Sequence, residues 1–290
     1  MPKLIMLVGP PGSGKSTWAR NFDPSMQMTY VNQDSQGKNE HLAKFIRALS
    51  LNENIIVDRM NFNKEQRNRY LIEAKARGYE AEIHVFHENR AACYTRCTER
   101  GGHETIKTSD DANKALDFFF KNYERVDDNE ANIVIRHWPE GDKSKAVICD
   151  LDGTLCNIDH RLHWVRNEEG KKNWPMFMAG IKDDKVNTWC RSILNHLYHG
   201  TFRVVLCSGR GEEYRTPTVE WLRDNKIIYD QLFMRYARDG RKDYLIKEIL
   251  LDFEILTRYE PAFFIDDRKS VVDMWRKRGY TCLQCAEGDF

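Results

Sequence analysis

Two short stretches of this chain carry residue types at a spacing that chemistry can use, and both suit phosphate. In the first, Gly9-Pro-Pro-Gly12-Ser13-Gly14-Lys15-Ser16-Thr17 fits the pattern G-x-x-x-x-G-K-[ST]. Small residues let backbone N–H groups curl around an anion, and a helix starting at the end of the loop adds the partial positive charge of its N-terminus. Lys15 can then reach the β- and γ-phosphates of a nucleotide, while the Ser16 hydroxyl holds Mg²⁺. In the second, Asp150-Leu-Asp152-Gly-Thr154 sets two carboxylates two residues apart behind the apolar run Ala146-Val-Ile-Cys149. Such a pair divides the work. Asp150 serves as the nucleophile that forms an aspartyl-phosphate; Asp152 protonates the leaving oxygen and then activates the water that hydrolyses the intermediate.

Other residues complete each set. Asp34 follows an apolar run and is the candidate base for an acceptor hydroxyl; Asp58 ends another run, where a carboxylate would organise magnesium or the acceptor. Arg96 and Arg100 are spaced i,i+4 on a helix expected to end at Gly101-Gly102, so they share a face and form a lid that clamps a polyphosphate. In the second half, Ser208-Gly209-Arg210 offers a hydroxyl and a cation to phosphoryl oxygens. Lys247 would neutralise the phosphate or the nucleophile, and Asp243, four residues before it, would orient it. The pair Asp266-Asp267, with Asp150 and Asp152, suits Mg²⁺, a hard cation that prefers oxygen ligands.

These residues need elements that place them at strand ends. Apolar runs predict strands over Lys3–Val8, Gln27–Val31, Asn54–Val57, Glu80–Phe86 and Ile133–Ile135 in one series. A second series covers Ala146–Cys149, Phe202–Cys207 and Ala262–Ile265. Helical patterns lie between them, which indicates an α/β chain with largely parallel sheets. The polar, turn-rich stretch Pro139–Lys145 separates the two series, so the expected domains are 1–141 and 142–290. Each domain opens on a buried strand that runs into a chemically distinctive loop, where ligands of open α/β sheets sit. The segment Asn157–His199 is helical in pattern and is expected to form a small cap.

Composition sets bounds. In 290 residues a net charge of +1 gives no global field towards nucleic acid or anionic membrane, so any such contact rests on local basic clusters. The first apolar run stops at Gly9-Pro10, too short for a membrane span, and the expected location is cytoplasmic with no membrane contact. Eight cysteines are then expected as reduced thiols; Cys282-Leu-Gln-Cys285, in an expected terminal strand, is read as core packing rather than metal. His160 with His163, and His196 with His199, have metal-like spacing but no third ligand and are read as packing or surface. Arg67, Arg69, Lys75 and Arg77 are read as a surface cluster.

The motif order resembles the bacteriophage-type polynucleotide 5′-kinase/3′-phosphatase family, in which a P-loop kinase is fused to a haloacid-dehalogenase-superfamily phosphatase. The resemblance covers essentially the whole chain, from Gly9–Arg20 through Asp150–Leu155, Ser208–Arg210, Arg241–Lys247 and Ile265–Arg268 to Val272–Arg276 and the terminal Gly288-Asp-Phe290. It implies a P-loop NTPase-like domain followed by a Rossmann-like phosphatase domain with a small helical cap. It further implies ATP and Mg²⁺ as cofactors, and DNA or RNA ends, single-stranded or nicked, as substrates. The implied activities are 5′-hydroxyl phosphorylation and removal of 3′-phosphate and 2′,3′-cyclic phosphate. A polynucleotide ligase as partner, a homo-oligomer, and a host cytoplasm if the gene is a phage's belong to the same implication. Arg161 and Arg235 are singled out as substrate-binding residues by the resemblance alone. The chain departs from the phage pattern at Gly37, where that family has an acceptor-gripping arginine, and at Asp58-Arg59-Met60-Asn61-Phe62; Lys38 or Arg59 would substitute. Two other readings stay open on the sequence: a bifunctional sugar or nucleoside kinase/phosphatase, and a nucleotide-gated repair scaffold.

Overall fold

The structure, a computed structural model, describes residues 1–37, 39–100, 106–166 and 172–288. Gly101, Gly102, Lys38, Asp289 and Phe290 lie outside the described residues. The chain divides into two compact units, Met1–Glu140 and Gly141–Phe290.

The first unit is built on five strands: β1 (Lys3–Val8), β2 (Thr29–Asn32), β3 (Ile55–Asp58), β4 (Glu80–Phe86) and β5 (Ile133–His137), in the order β2-β3-β1-β4-β5. All neighbours run parallel. β1 is buried from Leu4 to Val8, as expected of a strand covered on both faces. Helices α1 (Lys15–Phe22), α2 (Gln33–Gln36), α3 (Glu40–Ser50), α4 (Lys64–Ala76), α5 (Arg90–Glu99) and α6 (Ser109–Asn122) connect them. The second strand starts later than its apolar residues suggest. Asp23 accepts from the N–H groups of Gln27 and Met28 at 3.0 and 2.7 Å, and Met26 adopts φ 51°, so a turn occupies the start of the predicted strand.

The second unit holds β6 (Ser144–Cys149), β7 (Cys156–Asn157), β8 (Lys185–Val186), β9 (Arg203–Gly211), β10 (Gln231–Arg235), β11 (Tyr259–Asp266) and β12 (Cys282–Gln284). Five of these form a parallel sheet in the order β10-β9-β6-β11-β12, while β7 and β8 pair antiparallel on their own. Helices α7 (Trp174–Ala179), α8 (Thr188–Tyr198), α9 (Arg215–Asp224), α10 (Asp243–Leu250) and α11 (Lys269–Lys277) complete it. The two-residue period of a strand is visible in the core. Val147, Cys149, Val204 and Leu206 enter one apolar cluster, and Ala146, Ile148, Val205 and Cys207 the other. Cys282 and Cys285 fall on opposite sides of this division and do not face a common site. β6, first in this unit's chain order, is central; β9 and β10 lie to one side and β11 and β12 to the other. The ends of β6 and β11 therefore meet where the strand order reverses, the usual place for a ligand.

One surface expectation is corrected. Arg67 on α4 is fully buried; its guanidinium holds Glu130 at 2.6 and 2.9 Å and donates to the carbonyls of Asn61 and Glu124. Its partner lies 63 residues on, beyond the reach of local pattern.

Candidate active sites

In the first unit the loop after β1 turns tightly onto α1. Gly12 has φ 78°, and a Cβ there would lie 2.5 Å from the Cys93 carbonyl oxygen, so the loop needs glycine to pass under α5. The Lys15 ammonium is tucked within the loop, donating to the carbonyls of Gly9 and Pro10 at 2.9 and 2.8 Å; burial lowers its pKa against the opposing charge of Asp58. Ser16 donates to Asp58 at 2.6 Å, which joins the loop to the end of β3. Asp58 also accepts from the Tyr30 hydroxyl, and from Asn32 at 3.4 Å. The Tyr30 phenol is pushed up by burial and then by the Asp58 charge, so it stays a donor. Tyr30 had no signal in the sequence; only the adjacency of β2 and β3 reveals it.

Asn32 caps α2, accepting from the N–H groups of Asp34 and Ser35 at 2.8 and 3.2 Å, and so fixes where Asp34 starts. Asp34, Asp58 and Arg59 line a cavity of about 410 Å³ together with Gly12, Gly14, Lys15, Ser16, Thr17 and Arg100. Gly9 and Ser13 belong to the same loop, where a Gly9 Cβ would meet Ser13 Oγ at 3.0 Å. Arg59 donates to the Tyr70 hydroxyl at 2.8 Å, which steadies it at the rim. Gly37 ends α2 at φ 81°, ψ 168°, a conformation essentially reserved for glycine.

The lid expectation is corrected. α5 ends at Glu99, and Arg100 is extended at φ −76°, ψ 110°, so Arg96 and Arg100 are not helical neighbours. Arg96 pairs with Glu88 at 2.8 Å and donates to the Gly12 carbonyl at 3.3 Å, bracing the loop, while Arg100 alone faces the cavity.

In the second unit β6 delivers Asp150 and β11 delivers Asp266 and Asp267. Carboxylate oxygens of the three lie within 4.8 Å of one another, and all three residues are buried. Burial first, with Asp266 and Asp267 adding to it, pushes the Asp150 carboxyl well above its usual range against the pull of Lys247. Burial and then Asp266 push Asp267 up to about 7. An all-oxygen set whose charges repel one another fits a hard divalent cation, which would keep them ionised. Lys247, on α10, donates to Asp150 at 2.7 Å and to Asp266 at 2.9 Å, with Asp243 at 3.6 Å. Despite its burial, those carboxylates hold it charged. Asp243 is half-buried, and Lys247, Arg268 and Arg235 keep its carboxyl below the usual range against the desolvation that opposes its charge.

Asp152, expected as a Mg²⁺ ligand with Asp150, Asp266 and Asp267, does not bring its carboxylate into their cluster. It accepts from Arg161 at 2.5 Å and from Arg210 at 2.6 to 3.1 Å. Burial works against its charge, but the two guanidiniums overcome it and hold Asp152 ionised. Both arginines also grip Asp184, a fully buried carboxylate, at 2.6 and 2.9 Å. The expected contact of Arg161 and Arg210 with phosphoryl oxygens is therefore corrected: their forks are spent on Asp152 and Asp184, and Arg210 also reaches Thr218. Ser208 is likewise fully buried, its hydroxyl accepting from the Arg210 N–H at 3.2 Å. A narrow cavity of about 40 Å³ is lined by Asp150, Asp152, Gly209, Arg235, Asp243 and Arg268, with Trp174, Phe177 and Met178. A Cβ on Gly209 would collide with an Asp243 carboxylate oxygen, so a larger residue there would displace that carboxylate. Arg235 braces this wall, donating to the carbonyls of Gly209, Asp239 and Arg241 at 2.6, 3.0 and 2.5 Å and to Asp243 at 3.2 Å. The sequence reading missed Asp184 and the lining role of Arg268, because both depend on partners far along the chain.

Residues 144–290 match the phosphatase domain of polynucleotide kinase PNKP. The chain is 26% identical over 310 residues to an Autographa californica nuclear polyhedrosis virus protein named as a bifunctional polynucleotide kinase/RNA ligase; the match takes in 94% of this chain but 41% of that protein. The chain thus spans about two-fifths of the length of that curated relative. Chains from two solved structures, of a Pnkp1/Rnl/Hen1 complex and of the Pnkp1/Rnl/Hen1 RNA repair complex, are 30% and 28% identical. They cover all of this chain, with 98% and 97% of their own length matched and TM-scores of 0.43 and 0.45. By the match across residues 144–290, the chain belongs to the polynucleotide kinase PNKP phosphatase domain family.

Proposed function

We propose that the chain is a bifunctional nucleic-acid end-healing enzyme, with residues 1–141 as a 5′-hydroxyl kinase and residues 142–290 as a 3′-phosphatase. The observation that carries the reading is Asp150, held by Lys247 beside Asp266 and Asp267 in the unit that matches the phosphatase family. The Lys15, Ser16, Asp58 and Asp34 cavity in the first unit supports the other half.

In the kinase, Asp34 accepts the proton of the 5′-hydroxyl as that oxygen attacks the ATP γ-phosphorus and ADP leaves. Lys15 and Arg100 neutralise the transferring phosphate, and the Gly9–Thr17 backbone cradles it. Ser16 and Asp58 would hold Mg²⁺, which supplies further neutralisation. In the phosphatase, a carboxylate oxygen of Asp150 attacks the 3′-phosphorus, and the bond to the 3′-oxygen breaks as Asp152 passes that oxygen a proton taken up from solvent. Water then hydrolyses the aspartyl-phosphate, its proton passing to Asp152. Arg161 and Arg210 position Asp152; Lys247, oriented by Asp243, offsets the charge on Asp150. Asp150, Asp266 and Asp267 would hold Mg²⁺, which supplies charge neutralisation at the nucleophile. The phosphatase acts on 3′-phosphate and 2′,3′-cyclic phosphate ends of DNA or RNA, single-stranded or nicked.

Among the described residues no helix is long and apolar enough to cross a membrane. A cytoplasmic homo-oligomer that hands healed ends to a polynucleotide ligase completes the proposal. The test is a paired assay on DNA and RNA oligonucleotides of matched sequence, each with a 5′-hydroxyl and a 3′-phosphate, with ATP and Mg²⁺. Gain of label at the 5′ end and loss of the 3′-phosphate are expected; neither change on either strand would reject the reading.

A further inference from the structure

A cavity of about 540 Å³ opens on the second unit between α8 and the turn that follows α9, lined by Arg191, Ser192, Asn195, His196, His199 and Lys226. Its place in the sheet separates it from the carboxylate cluster. α8 ends at Tyr198 and leads into β9, α9 ends at Asp224 and leads into β10, and both strands run parallel to β6. The cavity therefore sits by the amino ends of these strands, whereas Asp150 follows the carboxyl end of β6.

The lining is one-sided in charge. It carries a guanidinium, an ammonium and two imidazoles, and no carboxylate among the described residues. The chain as a whole balances 45 basic residues against 44 acidic ones, so the excess is local. Helix C-termini attract cations over the last turn, which accounts for His196, His199 and Lys226. It does not account for Arg191, which stands about two turns before the end of α8. The guanidinium of Arg191 has one polar contact among the described residues, the Asn225 carbonyl at 3.4 Å, and neither it nor Lys226 has a carboxylate partner there. Their backbones are nevertheless fixed against each other. Asn195, one turn along α8 from Arg191, accepts from the Ile228 N–H at 3.4 Å and donates to the Lys226 carbonyl at 3.5 Å. Lys226 itself adopts φ 55°, a conformation retained only where the surroundings impose it.

We propose that this cavity is an anion site that holds a phosphate group, separate from the carboxylate cluster and taking no part in its chemistry. The planar fork of Arg191 presents paired N–H groups to two phosphoryl oxygens, and Lys226 adds a point charge. The imidazoles of His196 and His199 offer further ring N–H donors. The hollow has room for more than the phosphate alone, so it admits the group on a free nucleotide or within a polynucleotide backbone. The chemistry recognised is the same in both, and the site stands whether or not the end-healing reading does.

The test reads Lys226 directly. The full chain is acetylated with an amine-reactive ester, and the rate at Lys226 is followed by mass spectrometry, with exposed Lys277 on α11 as the control. The two probes are ADP and a single-stranded 12-mer with a 5′-phosphate and a 3′-hydroxyl, which neither proposed reaction consumes. At ten times its dissociation constant a bound probe should slow Lys226 about tenfold and leave Lys277 unchanged. Protection by ADP marks a nucleotide site, and protection by the 12-mer alone marks a backbone site. Arg191→Gln should remove the protection while both activities persist as the check on folding. If the 12-mer protects, Lys226→Gln should also lower the slope of log affinity against log salt by about 0.7, measured by fluorescence anisotropy. No protection by either probe, equal protection of Lys277, or protection that survives Arg191→Gln would overturn the proposal.

Discussion

Replacing Asp184 with asparagine should unfold the second unit far more easily while sparing the first. Asp184 is fully buried and shares two buried guanidiniums with Asp152, so two positive charges face two negative ones. Asparagine keeps the shape and can still accept a hydrogen bond, but it leaves one buried positive charge uncompensated. Breaking one member of such a network costs about 3–5 kcal/mol. With a urea slope of about 2 kcal/mol per molar, the midpoint for loss of phosphatase activity should fall by about 2 M. Below that midpoint the phosphatase kcat should also fall about tenfold or more, because the arginines that aim Asp152 lose their second anchor. The assay is urea unfolding followed by both activities on the same samples, the kinase serving as the internal control. A phosphatase midpoint shifted by less than about 0.5 M, or an equal shift in the kinase, would refute the reasoning.

Tyr30→Phe removes one donor from Asp58, so the Mg²⁺ concentration for half-maximal kinase rate should rise about tenfold; a Mg²⁺ titration checks it, with the phosphatase unaffected. Gly37→Arg should not restore a phage-like acceptor grip, because φ 81°, ψ 168° imposes about 1–3 kcal/mol of strain on any side chain; kinase rates on DNA and RNA should both fall. His84, packed on Trp18 and hydrogen-bonded to His137 at 3.0 Å, has its imidazole pulled below the usual 6.5 by burial, despite Glu82 at 3.5 Å, and His137 is lowered likewise. The unfolded chain therefore takes up protons that the folded one refuses. Stability of the first unit should be full above about pH 6.5 and decline as pH falls through the depressed folded values, by at most about 1.4 kcal/mol per pH unit per histidine. Thermal inactivation of the kinase at pH 7.5 and 5.5 measures this, and His84→Gln should flatten the difference.

What could be read in the sequence was what lies in one continuous stretch. The loop Gly9–Thr17 and the pair Asp150 and Asp152 each follow a buried strand directly, so motif and scaffold are visible together. β1 and β4 have the bounds their apolar runs predict, because strands covered on both faces carry unbroken apolar residues. β10 escaped notice because QLFMR is short and polar at both ends, and β7 and β8 are two residues each. The harder losses concern side-chain direction. A motif shows that Arg210 stands near the site but not that its fork is committed to Asp152 and Asp184, 58 and 26 residues away. Tyr30 and Asp58, 28 residues apart, meet only because β2 and β3 pair. Arg96 and Arg100 were placed on one face by assuming a helix that ends one residue before Arg100.

The most direct test of the central claim, two separate phosphoryl-transfer sites in one chain, uses a single oligonucleotide with a 5′-hydroxyl and a 3′-phosphate and two variants, Asp150→Asn and Lys15→Ala. Asp150→Asn should abolish loss of the 3′-phosphate and leave 5′ labelling intact, and Lys15→Ala should do the reverse. Loss of both activities in either variant, with the protein still folded, would contradict the account.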